Sequence, residues 1–136
     1  SIAPTVANEI GLRYSPERTA MIGSSMGGLA TLYGLNLREE FFHTALAFSP
    51  HWTIGGIPLV EELIQNLPAP GKHKIWMSRG SRKLDKGYKH TQAHANTLMN
   101  DLGWGDNYKY RFFRGAGHSE RAWRKQIEEA FKFWLK

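Results

Sequence analysis

Short apolar runs alternate with amphipathic segments along this 136-residue chain, and this alternation constrains the fold more than any other feature. The runs predict four β-strands, at residues 19–22, 45–48, 74–78 and 108–113. The amphipathic segments predict helices over 26–37, 58–66 and 88–102, and a last helix that begins after a Ser119 cap. The predicted buried stripe of that last helix is Trp123, Ile127, Ala130, Phe131 and Trp134. Strands and helices that alternate in this way are typical of a parallel sheet flanked by helices, so we predict an α/β fold.

Length and composition narrow the class of protein. The length suits one domain, predicted to span residues 1–136, and 41% hydrophobic residues suit a globular core. The chain has no Cys, which excludes disulfides, a thiol nucleophile and Cys-based metal sites. No apolar run approaches the ~18 residues of a membrane span, so we expect no membrane partner. No signal segment opens the sequence. We leave the location open, with the cytoplasm slightly favoured as an expectation.

The net charge is +6, and the densest basic cluster lies within residues 79–89. Its members are Arg79, Arg82, Lys83, Lys86 and Lys89, with Asp85 as the only acid. A solvated basic loop and helix start is the simpler interpretation, and an anion-binding surface is the alternative. Because no recognisable nucleic-acid motif accompanies the cluster, we do not expect a nucleic-acid partner.

The segment Gly23-Ser24-Ser25-Met26-Gly27 fits the pattern G-x-S-x-G between a predicted strand and a predicted helix. Such a turn strains the backbone of the serine, and the flanking glycines are expected to relieve crowding. The turn also lifts the serine hydroxyl above the sheet at a helix N-terminus, where negative charge is stabilised. Ser25 is therefore the predicted nucleophile, and the Met26 amide is the predicted oxyanion donor. An ordinary glycine-rich turn, such as one that binds phosphate, is the alternative.

A serine nucleophile needs a base, and a carboxylate usually orients that base. Of the six histidines, His118 is the best candidate because it follows the last predicted strand in a glycine-containing loop. Asp85 is the preferred acid because it follows the third strand and precedes His118; the other acids in the interval are Asp101 and Asp106. His90 and His94 are four residues apart and could share a helix face as metal ligands. No third ligand is evident, so we expect neither a metal nor a cofactor.

Four blocks of sequence together resemble the esterase family of α/β-hydrolases that includes enterochelin-type and feruloyl-type esterases. They are the residues 18–29 around Ser25, the strand end 48–52, the strand 75–80, and the turn 115–120 with Trp123. The resemblance implies a serine esterase with Ser25, His118 and Asp85 as its triad and the Met26 amide as an oxyanion donor. It also implies a small-molecule ester as substrate, without naming the ester. Members of the family often have an acid where this chain has Lys83, so the identity of the triad acid stays open.

Measured against that family, the chain is similar only to the C-terminal portion of the fold and begins in the helix before the strand that leads to Ser25. The resemblance implies that the N-terminal strands of the fold, together with the loop that supplies the second oxyanion amide, are not among these 136 residues. The sequence therefore supports a second hypothesis, a catalytically incomplete half that acts through its other half or a homo-oligomer. Trp52 follows a predicted strand end, so we assign it to an acyl or aromatic pocket, with a core position as the alternative.

Overall fold

The computed structural model describes residues 14–136, which contain a four-stranded parallel sheet with helices on both faces. The strands are β1 (Ala20–Ser24), β2 (Thr44–Phe48), β3 (Lys74–Gly80) and β4 (Tyr108–Phe113), and they lie side by side in chain order. The helices are α1 (Met26–Leu37), α2 (Gly56–Gln65), α3 (Lys89–Asp101), α4 (Glu120–Arg124) and α5 (Ile127–Leu135). The predicted α/β class is confirmed. The helix expected before β1 lies outside the described residues.

Side chains of the central strands alternate between the two faces of the sheet, and each face has its own apolar core. In β2, Ala45 and Ala47 belong to one core, while Leu46 and Phe48 belong to the other. The first core also contains buried residues of α1, α2 and α3, such as Leu32 of α1. The second contains residues of α5. Helices therefore cover both faces of β2 and β3, and these two strands are almost wholly buried.

The last predicted helix is two helices in the structure, because the helix is interrupted at Lys125 and Gln126. The Gln126 side chain is buried, and its Oε1 accepts a hydrogen bond from the Ser78 hydroxyl at 2.9 Å. This break shifts the buried face of α5 to Ala130 and Phe133. The prediction that Phe131 is buried was wrong: 38% of it is exposed, and its ring packs against Trp134.

β1 and β4 form the two edges of the sheet within residues 14–136. On β1, 36% of Met21 and 49% of Ile22 remain exposed, so this edge strand carries two neighbouring apolar side chains that residues 14–136 leave partly uncovered. All four strands point the same way, so their carboxyl ends lie at one edge. The loops that carry Ser25, His51, Asp85 and His118 follow those ends, and the fold therefore brings them together.

Candidate active site

Ser25 occupies a strained turn between β1 and α1. Its φ of 56° and ψ of −120° lie in a region that residues other than glycine rarely adopt. Its backbone N–H donates to the carbonyl of Phe48 at 2.9 Å, which ties the turn to the end of β2. A Cβ on Gly23 would lie 2.3 Å from the carbonyl oxygen of Gly27, so position 23 requires glycine. At Gly27 the expectation of crowding was wrong, because a Cβ there would meet nothing within 4 Å.

His118 lies in a loop that is hydrogen-bonded to the segment just after β3. The Ala116 carbonyl accepts hydrogen bonds from the N–H groups of Ser81 and Arg82, each at 3.0 Å. The two backbones can approach this closely because Gly80 has no side chain: a Cβ on it would lie 2.1 Å from the same carbonyl oxygen. Gly80 therefore helps to set the position of His118.

We expect Gly80→Ala to displace the 115–118 loop, since the added carbon would collide with backbone rather than with a side chain that could move away. Overpacking of this kind costs about 1–3 kcal/mol of unfolding free energy, measurable by urea denaturation. Gly87→Ala is the matched control, because a Cβ at position 87 would meet nothing within 4 Å. An equal loss of stability in the two variants would contradict this account of the loop.

Asp85 is fully buried, in the six-residue 3₁₀ segment Lys83–Tyr88. Its Oδ2 accepts hydrogen bonds from the Ser49 hydroxyl at 2.5 Å and from the Gly80 N–H at 2.6 Å. Its Oδ1 lies 2.6 Å from Nδ1 of His118. Buried carboxylates require such partners, and here both oxygens have them. Lys83, at the position where the resemblance led us to expect an acid, is exposed and has a φ of 58°.

Ser25, His118 and Asp85 form a continuous hydrogen-bonded line. Nε2 of His118 lies 2.8 Å from Oγ of Ser25, and its Nδ1 lies 2.6 Å from Oδ1 of Asp85. With the carboxylate accepting the Nδ1 proton, Nε2 is left to accept the proton of the serine hydroxyl. The indole of Trp123 packs edge-on against the imidazole, 5.0 Å between ring centroids. Geometrically this line can transfer a proton away from the serine oxygen.

The Met26 amide lies at the first position of α1, where N–H groups have no acceptor in a preceding helical turn. It is thus placed to donate to a negatively charged oxygen beside Ser25. The interpretation of Trp52 as a pocket residue is corrected by the structure. Trp52 is 0% exposed in the first core, and its Nε1–H donates to Oε1 of Gln92 at 2.9 Å. A short 3₁₀ turn after β2 directs this side chain inward instead of toward the sheet edge.

Two residues that sequence reasoning did not select also lie at the site. Nδ1 of His51 is 2.6 Å from the hydroxyl oxygen of Tyr88, and the rings of both residues lie within 6.3 Å of the His118 ring. Burial raises the pKa of the Tyr88 phenol to about 12, and the nearby Asp85 carboxylate adds to the shift. The sequence feature that could have pointed to His51 is its position just after β2. For Tyr88 it is the position three residues after Asp85.

The two histidines considered as metal ligands lie on α3, away from the sheet edge. His94 hydrogen-bonds Oε1 of Glu61 through Nε2 at 3.1 Å, and His90 is exposed. Within residues 14–136, no three His, Asp or Glu side chains form a group that could hold a metal ion. In the basic cluster, the Arg79 guanidinium stacks over the Phe112 ring at 4.5 Å, whereas the other four cations are exposed.

Comparison with known families identifies the chain's relatives. The sequence model of the Putative esterase family matches residues 1–134. The chain belongs to this family. A search of curated proteins finds no relative of this esterase-family chain. Among residues 14–136, no helix has both the length and the apolar character needed to cross a membrane.

Solved structures share the fold of this esterase-family chain at low sequence identity. A ferulic acid esterase superposes with a TM-score of 0.73 at 14% identity, over 98% of this chain and 57% of its own length. Enterochelin esterase from Shigella flexneri superposes with a TM-score of 0.71 at 22% identity, over 98% of this chain and 35% of its own length. S-formylglutathione hydrolase from Staphylococcus aureus superposes with a TM-score of 0.71 at 15% identity, over 97% of this chain and 57% of its own length. The chain thus spans roughly a third to just over half of these proteins, as expected for the C-terminal portion of an α/β-hydrolase fold.

Proposed function

We propose that this chain carries the nucleophile, base and acid of a serine esterase that hydrolyses a carboxylic ester. The observation that carries the proposal is the continuous line from Ser25 Oγ through His118 to Asp85, with separations of 2.8 and 2.6 Å. Membership in the Putative esterase family supports it independently of that geometry. The neighbours' names include a ferulic acid esterase, an enterochelin esterase and an S-formylglutathione hydrolase, so they do not single out one ester.

In the proposed mechanism, Ser25 Oγ attacks the ester carbonyl carbon while Nε2 of His118 takes the hydroxyl proton. The carbonyl oxygen becomes an oxyanion that the Met26 N–H stabilises. As the tetrahedral intermediate collapses, His118 gives the proton to the departing alcohol oxygen, and an acyl ester on Ser25 remains. Water then loses a proton to His118 and attacks this ester, which forms a second tetrahedral intermediate. As it collapses, His118 returns the proton to Ser25 Oγ, the acid leaves and the serine hydroxyl is restored. Asp85 keeps the imidazole oriented and stabilises its charged form.

A fluorophosphonate probe tests this proposal without requiring the natural ester, because it reacts only with an activated serine. We expect the purified protein to be labelled, with mass spectrometry placing the label on Ser25. Ser25→Ala should abolish labelling, whereas Ser24→Ala, one residue away, should retain it. Label on another residue, or none on well-folded protein, would overturn the proposed nucleophile.

The edge of β1 favours a second candidate, in which the chain is one half of a hydrolase and needs further strands to act. Along this edge runs an open groove of about 410 Å³, lined by residues of β1 such as Ile22 and by Trp123 and Ile127. Among residues 14–136, β1 pairs only with β2, and a strand edge without a partner readily pairs with another strand. The Met26 amide is the single oxyanion donor that we can assign, and loss of one donor costs about 2.7–4 kcal/mol of transition-state stabilisation.

Added strands could come from elsewhere in the same protein or from a second copy of this chain. The solution mass separates these sources. A dimer whose dissociation abolishes labelling would support a second copy, and a strictly monomeric mass would exclude it.

A further inference from the structure

His51 and Tyr88 form a polar pair beside the proposed triad that the ester-cleavage steps do not use. The 2.6 Å contact joins the phenol oxygen to Nδ1 of His51. Tyr88 is 1% exposed, whereas His51 is only partly buried. The histidine therefore has one ring nitrogen held in the protein interior. The backbone N–H of His51 also donates to the Ser25 carbonyl at 3.2 Å, which fixes the histidine next to the strained turn.

The other ring nitrogen, Nε2, makes no hydrogen bond within residues 14–136 and is not enclosed by them. The buried Tyr88 phenol keeps its proton at neutral pH, and its oxygen is also close enough to the Ser25 hydroxyl to affect the phenol pKa. The short geometric contact is the one to Nδ1 of His51, at 2.6 Å, so we place the phenol O–H on that nitrogen. A neutral imidazole whose Nδ1 accepts a hydrogen bond carries its proton at Nε2. His51 would then present an N–H donor to the open side of the site.

The position of His51 indicates which part of an ester this donor would meet. Its ring centroid is 6.3 Å from that of His118, the residue that must protonate the departing alcohol oxygen in the proposed mechanism. His51 follows β2, which lies between the Ser25 strand and the Asp85 strand. Because His118 delivers its proton to the departing alcohol in the proposed mechanism, the closeness of the two rings points to the alcohol portion of the ester as the part that His51 would meet.

We propose that His51, held by Tyr88, is a specificity-determining residue that donates an Nε2–H hydrogen bond to an oxygen acceptor on the alcohol portion of the substrate. Tyr88 acts in this scheme as a positioning residue. The inference rests on the proposed esterase function, and it adds a preference for esters whose alcohol carries an ether, hydroxyl or carbonyl oxygen near the ester group.

Two esters of the same acid test this preference. A 2-methoxyethyl ester and an n-butyl ester have alcohols of the same length, but only the first has an acceptor oxygen. We expect the protein to favour the methoxyethyl ester in kcat/KM by about 3- to 10-fold more than alkaline hydrolysis does, the effect of one neutral hydrogen bond. In His51→Asn, whose amide can still meet Tyr88 but does not reach the Nε2 position, the ratio should fall to that of alkaline hydrolysis.

His51→Gln, which extends an N–H to the Nε2 position, should restore part of the preference. His90→Asn, the same substitution at an exposed histidine of α3, should leave it unchanged. An unaltered ratio in His51→Asn, with Ser25 still labelled by the fluorophosphonate probe, would overturn this inference alone. Absence of Ser25 labelling in the unsubstituted protein would instead overturn the proposed esterase function, and the inference with it.

Histidine-ring ¹⁵N NMR gives a readout that does not depend on turnover. His51 should be in the Nε2–H tautomer at neutral pH, and Tyr88→Phe should weaken that tautomer preference because the donor to Nδ1 is gone. A dominant Nδ1–H tautomer in the unsubstituted protein would overturn the inference, because Nε2 would then have no proton to donate.

Discussion

His118→Ala should lower kcat for ester hydrolysis by about 10⁶-fold, the loss seen when the base of a serine-based triad is removed. The hydroxyl of Ser25 has its only proposed proton acceptor in Nε2 of His118, 2.8 Å away. Without the imidazole, the hydroxyl must attack as a weak nucleophile, and the departing alkoxide has no proton donor. The measurement is the steady-state rate on an activated aryl ester, with background hydrolysis subtracted.

Three companion variants sharpen this experiment. Ser25→Ala should be as slow as His118→Ala, and the double variant should be no slower than either, because the two side chains act as one unit. His90→Ala is the matched control, since it removes an exposed imidazole that lies on α3. Independent, additive losses from Ser25→Ala and His118→Ala would show that the two residues do not share a step.

The sequence was sufficient to predict much of the fold because strand and helix periodicities are local. The predicted bounds of α1 and β4 are those of the structure, and the other strands differ only at their ends. The break after Arg124 could not be predicted locally. It depends on the burial of Gln126 against Ser78, a contact between residues 48 positions apart in the chain. The same long-range contact explains why Phe133, rather than Phe131, faces the sheet.

Residues that follow strand ends could be placed near one another from the topology alone, which is why Ser25, Asp85 and His118 were candidates. Topology does not give side-chain direction, however. Trp52 follows a strand end as well, yet a 3₁₀ turn directs it into the core. The pairing of His51 with Tyr88 likewise depends on a hydrogen bond across 37 positions, and no spacing in the sequence indicates it.

The variant Asp85→Asn tests whether the Asp85 carboxylate orients His118 or serves only to stabilise the fold. The Gly80 N–H can only donate, and it points at Oδ2 from 2.6 Å, so the amide oxygen of the asparagine must occupy that position. The amide NH₂ then faces Nδ1 of His118 and donates to it. That hydrogen bond places the imidazole proton on Nε2, where it blocks acceptance of the Ser25 proton.

We therefore expect Asp85→Asn to lower kcat by about 10⁴-fold, the effect of the wrong histidine tautomer in a serine triad. The fold should persist, since the Gly80 and Ser49 donors keep an acceptor at the Oδ2 position; urea denaturation of the same preparation checks this. Asp101→Asn, at the exposed end of α3, is the control and should leave kcat unchanged. A folded Asp85→Asn protein that retains more than about a tenth of the activity would show that His118 does not need the carboxylate, because loss of the required tautomer costs far more than tenfold.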